Sequence, residues 1–377
     1  MIQARLAFYY AALFGANGVF LPFWPVWLSS RGLSAVEIGI IFACTSAARV
    51  VTTPLVAQIA DRRGDRKPLI VLLAGLAVVL YCLYPFGHSF AVLLIVSLVA
   101  STTWSAGQPL GESLTVIVAK ERGFEYGRVR LWGSIAFIVI AIAAGHLLTG
   151  RDPDVIYQVG FVIVVLMFAS TLWLPNPRVP ISTASGYPLA QILRAPGFGL
   201  FLLAAGCVQS SHGVYYAFST LHWRSVGLDD TLIGLLWAEG VIAEIILFAA
   251  AASVMRRVGP ERLILLGGLA GLIRWSVLAS TDWLPALIVV QILHAFTFGA
   301  AHLGAIHFIA RAIPSQLSAT AQSVYAAAVM GIATGGSMFI SGMLFEAVGG
   351  RAYFAMAVLG AMGAACAAAL TRTKESV

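Results

Sequence analysis

The sequence predicts an all-α membrane protein of twelve transmembrane helices in two parallel six-helix bundles, and three observations lead there. The chain is 60% hydrophobic and only 10% charged, where a soluble domain carries about 25% charged residues. Too little polar surface is left to cover a water-soluble core. Its apolar runs are mostly long enough to cross a hydrocarbon core of about 30 Å. Its first half also resembles its second. The spans are placed near 6–28, 38–60, 68–86, 90–118, 131–148, 155–174, 197–223, 232–255, 263–280, 284–310, 317–345 and 353–370.

Charge orients these spans. Of the 23 Lys and Arg residues, Arg31, Arg151, Arg224 and Arg351 fall on one side of the membrane, and Arg49 and Arg274 fall inside spans. All the others fall on the opposite side. Short loops rich in Lys and Arg stay in the cytoplasm, so both termini are expected there. The net charge of +7 is gathered in loops such as Arg62–Lys67, Lys120–Arg130 and Arg256–Arg262. That pattern sets topology and attracts anionic lipid; it is not a nucleic-acid signal. The first apolar run is too long for a cleavable signal peptide and ends at Trp27–Ser30 without a small-residue cleavage site.

Residues Gly32–Leu69 overlay Gly227–Ile264 with a shift of 195 and no gap. Gly32, Leu33, Ile38, Gly39, Ala43, Ala48, Ala57, Arg62 and Gly64 all meet identical residues. Similarity between spans two and eight implies two parallel repeats. The bundles are therefore set at 1–174 and 197–377. The linker 175–196 carries Pro175, Pro177, Pro180 and Pro188 with Ser182, Ser185 and Gly186, a composition that suits a surface connection. One mismatch is informative: Arg49 overlays Glu244. Mid-span charge is expensive and normally faces a cavity or a partner, so both are expected at the interface between the bundles.

The loop after the second span reads Ala57-x-x-x-Asp61-Arg62-Arg63-Gly64-Asp65-Arg66-Lys67. It resembles the G-x-x-x-D-R-x-G-R-[RK]-[RK] signature of the major facilitator superfamily, with Ala57 for the first Gly and Asp65 for a basic residue. The resemblance implies a gating role for Asp61, Arg62 and Gly64; the same charges also serve topology. The strings Gly18–Leu28, Tyr126–Ser134, Ile273–Trp275 and Gln291–Phe296 look like those of the 3-phenylpropionate permease family, relatives of the lactose permeases. This similarity runs from Tyr9 to about Val358. Glu112 and Arg130, 18 residues apart, match the sugar-binding pair of lactose permeases in motif and spacing. Arg274 and His294 match an Arg of the ninth span and a His of the tenth, and Glu244 matches a Glu of the eighth approximately. Two positions depart. A carboxylate three residues after the His is Thr297 here, and a sugar-stacking Trp is Phe137.

The intramembrane polar residues carry the chemistry. An Arg fork near Glu112 suits an anionic or hydroxylated ligand, although Glu112 and Arg130 would also neutralise one another as a plain structural pair. A desolvated carboxylate such as Glu244 is a natural proton carrier, and His294 and His302 titrate near neutrality. His294 and His302 stand eight residues apart, about two turns, and so share a face. Eight residues are too many for joint ligation of one metal. Asn17 overlays His212 in the repeat and is a candidate cavity residue. Tyr215 is a candidate for stacking on an aromatic ligand; bundle packing is the plainer explanation of such rings.

Cys44, Cys82, Cys207 and Cys366 all fall within spans and suggest neither disulfide nor metal site. No nucleotide-binding or hydrolase motif is present. The expectation is a non-enzymatic secondary transporter with no cofactor, working as a monomer in the bacterial inner membrane. The resemblance implies proton-coupled uptake of a small aromatic carboxylate such as 3-phenylpropionate. Substrate binding would rest on Glu112, Arg130, Arg274, Asn17, Phe137 and Tyr215, and proton coupling on Glu244, His294 and His302. A sugar or nucleoside symporter and an exporter of drug-like compounds are the alternatives.

Overall fold

The computed structural model describes residues 2–177, 189–314 and 317–375. Among them every regular element is helical. A bilayer offers the backbone no partners, so each N–H must be satisfied inside its own helix. The first half holds α1 (Ile2–Ser30), α2 (Ala35–Arg63), α3 (Lys67–Tyr81), α4 (Phe90–Arg122), α5 (Tyr126–Leu148) and α6 (Asp154–Leu172). After the short α7 (Leu189–Leu193) come α8 (Phe198–Ser210), α9 (Gly213–Ser225), α10 (Asp230–Ala249), α11 (Ala251–Val258) and α12 (Pro260–Ser280). The chain closes with α13 (Leu284–Gln291), α14 (Ala301–Ala312), α15 (Ser318–Tyr325), α16 (Thr334–Val348) and α17 (Tyr353–Glu375).

Ten helical stretches of the described residues are long and apolar enough to cross a membrane. One of them, Thr320–Arg372, runs 53 residues, more than twice the roughly 20 residues that one crossing needs. It is interrupted by a 3-10 turn at Gly349–Ala352. By contrast α8 and α9 are 13 residues each and separately too short. Two π-helical segments interrupt the later helices, Ala295–Ala300 between α13 and α14 and Ala326–Ala333 between α15 and α16.

The helix ends follow the local sequence. Ser34 accepts from the backbone N–H of Glu37 while the Glu37 carboxylate accepts from the N–H of Ser34, a capping box that opens α2. Gly64 closes α2 in the left-handed region at φ 71°, where a side chain is disfavoured. Glycines paired by the repeat share this geometry: Gly32 and Gly227 have φ of 85° and 88°, and Gly64 and Gly259 have 71° and 81°. The internal repeat is therefore present in the backbone as well as in the letters.

The chain forms two compact units, Met1–Ala184 with Leu228–Ala238, and Ser185–Gly227 with Glu239–Val377. Half of the predicted linker, residues 178–188, lies outside the described residues. Helix α10 starts in the first unit and continues into the second. Inside the first unit α1 packs on α5 and α6. A Cβ at Gly18 would lie 2.8 Å from the Phe137 carbonyl, so only glycine allows that approach. The start of α10 joins α5 in the same manner, with Gly234 against the Ala141 carbonyl and Gly145 against that of Asp230. Small residues of this kind let membrane helices gain van der Waals contact where no hydrophobic drive exists. In the second unit a Cβ at Gly213 would overlap the Ser337 hydroxyl. Gly18 and its repeat partner Gly213 thus both mark a close helix contact.

Candidate functional site

Helix α8 ends at Ser210 and α9 begins at Gly213. The two residues between, Ser211 and His212, keep right-handed backbone with ψ near zero. This break turns the His212 ring into the second unit, where it is wholly buried. His212 Nδ1 lies 3.1 Å from the Gln209 carbonyl. A carbonyl only accepts, so Nδ1 carries the hydrogen and Nε2 is the acceptor. The Thr297 hydroxyl lies 3.1 Å from that Nε2 and donates to it.

Thr297 also accepts from Arg274, whose Nη1 is 3.1 Å away. The same Nη1 donates to His294 Nδ1 at 3.0 Å, and Nη2 donates to the Gln291 amide oxygen. Guanidinium is donor-only. His294 must therefore offer a lone pair at Nδ1 and carry its hydrogen on Nε2. That Nε2 faces Glu244 Oε2 at 3.8 Å. The order Glu244, His294, Arg274, Thr297, His212 is a continuous polar chain. It draws on α10, α12, the α8–α9 junction and the segment that leads into α14. These tautomers follow from the partners. A second proton on His294 would occupy the lone pair that Arg274 uses.

Arg274 is 0% exposed. Its guanidinium carbon lies 4.4 Å from the Tyr215 ring centre and 4.6 Å from that of Trp275, within cation–π range. Trp275 is held in turn by its Nε1 donating to the Ser211 hydroxyl at 2.9 Å. Among the described residues Arg274 Nε and Gln291 Nε2 meet no partner of good hydrogen-bond geometry, while the Tyr215 hydroxyl lies close to both side chains. The contacts of Arg274 among the described residues are the Gln291, Thr297 and His294 side chains and the two rings, none of them a carboxylate. A buried cation ordinarily requires a charged partner. Here neutral groups and ring faces touch the cation, and the Glu239 carboxylate acts on it through space.

The remaining predicted residues fall as follows. In the first unit Arg130 lies over the Phe14 ring at 3.7 Å and within 5.7 Å of the Tyr10 ring. Glu112 accepts from the Gln108 amide at 3.4 Å. Glu112 and Arg130 are both half-buried, and the contacts found for each among the described residues lie with other side chains. Asn17 is half-buried and Phe137 is buried, its backbone against Gly18. Arg49 is exposed on α2. His302 stacks on Phe298 at 5.9 Å and Phe298 on His294 at 5.6 Å, so a ring separates the two histidines. Asp61 pairs with Arg66 at 3.0 Å on the surface, beside an exposed Arg62 and the left-handed Gly64.

The structure thus assembles Arg274, His294, Glu244 and Tyr215 and adds His212, Gln291, Thr297 and Trp275 to them. A usable signal existed for two of these. Gln209–His212 is a polar run in an apolar span, and Gln291 is an isolated amide in another. Thr297 gave none.

The sequence profile of the MFS_1 like family matches residues 3–356. The probable 3-phenylpropionic acid transporter of Escherichia coli (strain K12) is 33% identical over 365 residues, covering 94% of each chain. The maltose permease of Geobacillus stearothermophilus is 27% identical, covering 90% of this chain and 86% of its own. Among solved structures the nucleoside transporter NupG has the same fold, with a TM-score of 0.81 at 15% identity over 98% of both chains. The family match and the first of these relatives both span nearly the whole chain, so this protein, a multi-pass membrane transporter and not an enzyme, belongs to the MFS_1 like family.

Proposed function

We propose that this transporter takes up a small aromatic carboxylate together with a proton, by alternating access. The observation that carries the reading is Arg274, wholly buried, whose contacts among the described residues are to neutral side chains and ring faces. The negative charge these contacts lack is the one that an acid brings. The flanking rings of Tyr215 and Trp275 suit an aromatic body on that acid. The Glu244–His294 pair supplies the proton site: Arg274 and a proton compete for His294 Nδ1, so engagement of the guanidinium by substrate frees that lone pair. The similarity to a probable 3-phenylpropionic acid transporter supports the same substrate class.

The membrane arrangement is part of this proposal. Taking α8–α9 as one crossing and Thr320–Arg372 as two raises the ten long helices to twelve. The bundles are 1–174 and 197–377, joined by the linker 175–196. Lys and Arg asymmetry puts both termini in the cytoplasm of a bacterial inner-membrane monomer. A second reading, a sugar or nucleoside symporter, is favoured by the similarity to a maltose permease and by the Glu112 and Arg130 match.

The test is uptake into proteoliposomes under an inward proton gradient, with labelled 3-phenylpropionate and labelled maltose in parallel. Gradient-dependent accumulation of the acid is expected. Accumulation of the sugar alone, or of neither, overturns the substrate assignment.

A further inference from the structure

Outside the polar chain, the first unit carries a surface groove of about 500 Å³ between the N-terminal parts of α1 and α5. Its floor is a run of small side chains, Ala4, Ala7 and Ala11, spaced at helical intervals on α1. Its walls are Phe8 and Trp132, which are 36% and 53% exposed. Arg128 and Gln3 close its polar end, and both are exposed. On the α5 wheel Trp132 lies about 200° from Arg130. Arg130 turns to Phe14 and Phe137 to Gly18, so this groove opens away from the side of α5 that packs on α1.

The shape and the charge specify one occupant. The floor and walls are apolar over some two turns of helix, which suits an acyl chain. A cation and an amide donor stand at the end where both helices begin, which the topology proposed above puts at the cytoplasmic membrane interface. Arg5 stands exposed near that end, and nothing acidic lines the groove. Both lipid classes carry an anionic phosphodiester, but a zwitterionic headgroup adds an ammonium that Arg128 repels, and a phosphatidylglycerol-type headgroup does not. Trp132 near the chain's upper end is a typical interfacial anchor. We propose that this groove is a binding site for an anionic phospholipid, with one acyl chain between Phe8 and Trp132 and the phosphate on Arg128 and Gln3. This site is separate from the transport chemistry and does not depend on the substrate.

Trp132 provides a reporter. The purified full-length protein in detergent is titrated with phosphatidylglycerol or phosphatidylcholine carrying brominated acyl chains, and tryptophan quenching is followed. Wild type is expected to be quenched at about fivefold lower concentration of the glycerol lipid, the ratio that roughly 1 kcal/mol per basic residue at a membrane surface corresponds to. Arg128→Gln is expected to remove that preference. Trp132→Phe is expected to remove the saturable part of the quenching, and Ala7→Leu to weaken both by filling the floor. Equal quenching by the two lipids in wild type, an unchanged preference in Arg128→Gln, or unchanged saturable quenching in Trp132→Phe would each mean that only non-specific annular lipid contacts this face, and would overturn the site.

Discussion

Arg274 carries the proposed chemistry at the scale of single residues. Its two terminal nitrogens reach Gln291, Thr297 and His294 while two rings cover its faces. A lysine presents one point charge and cannot reproduce that fork. Arg274→Lys is therefore expected to fail like Arg274→Gln, with acid uptake and equilibrium counterflow both reduced at least about a hundredfold, as loss of a charged hydrogen-bonding partner worth roughly 3 kcal/mol implies. Full counterflow in the lysine variant would show that a bare cation suffices. Thr297→Asp offers a sharper test, because it places a carboxylate beside the guanidinium at the position where the lactose permeases have one. The new side chain is expected to pair with Arg274 and displace the substrate's carboxylate. Acid affinity then falls while the protein remains folded, as measured by binding and by thermal stability in detergent. Glu244→Gln acts at the other end of the chain. It leaves Arg274 in place and keeps an acceptor oxygen opposite His294 Nε2, but removes the carboxylate that can take up and release a proton. Counterflow, which needs no net proton movement, is expected to survive while uphill uptake is lost. Retained concentrative uptake in Glu244→Gln would remove Glu244 from the mechanism.

At the scale of elements, Gly213 allows α9 to lie against α16, with Ser337 and Ser341 occupying the space a Cβ would need. Gly336, on α16 itself, has open space around its Cβ position. Gly213→Ala is expected to destabilise the protein by roughly 1–3 kcal/mol through overpacking, and Gly336→Ala to be neutral or slightly stabilising through helix propensity. Thermal unfolding in detergent separates the two, and equal midpoints would deny the close contact. Much of this architecture was legible in the letters. Apolar length marked the helices, and the repeat with its shift of 195 paired Gly32 with Gly227 and Gly64 with Gly259, which the structure shows to share left-handed backbone. Arg274 and Glu244 stood out because charge within an apolar run demands a reason. What stayed hidden depends on neighbours distant in sequence. His212 meets Thr297 from 85 residues away, and a threonine inside a helix is ordinary by itself. The break between α8 and α9 lies in a sequence without proline, and both π segments look like common Ala-rich helix. Such π turns are frequent at functional sites, and one of them begins directly after His294. Nor does composition reveal that Leu228–Ala238 packs with the first unit, because small-residue contacts such as Gly234 on Ala141 are set by shape.

At the scale of the whole molecule the proposed chemistry fixes which component of the proton gradient drives transport. A monoanionic carboxylate entering with one proton carries no net charge. A membrane potential acts on translocated charge with about 2.3 kcal/mol per elementary charge per 100 mV, so its contribution to the electroneutral cycle is zero. The pH difference then supplies the whole force: an inside-alkaline gradient of one unit sustains about a tenfold accumulation. Proteoliposomes separate the components. With an imposed pH difference and the potential clamped to zero by valinomycin in equal potassium, acid accumulation is expected to proceed undiminished. With a potassium diffusion potential and no pH difference, the initial rate is expected to match that of de-energised vesicles. A cycle that moves two protons per acid would behave otherwise, since its net positive charge makes an inside-negative potential drive uptake. Potential-driven accumulation would therefore exclude a single shared proton on the Glu244–His294 pair and require a second proton carrier. His302, separated from His294 by the Phe298 ring, is the group to substitute next in that event. His302→Gln would then return the cycle to potential-independence if it carries the extra proton, and would leave the potential dependence intact if it does not.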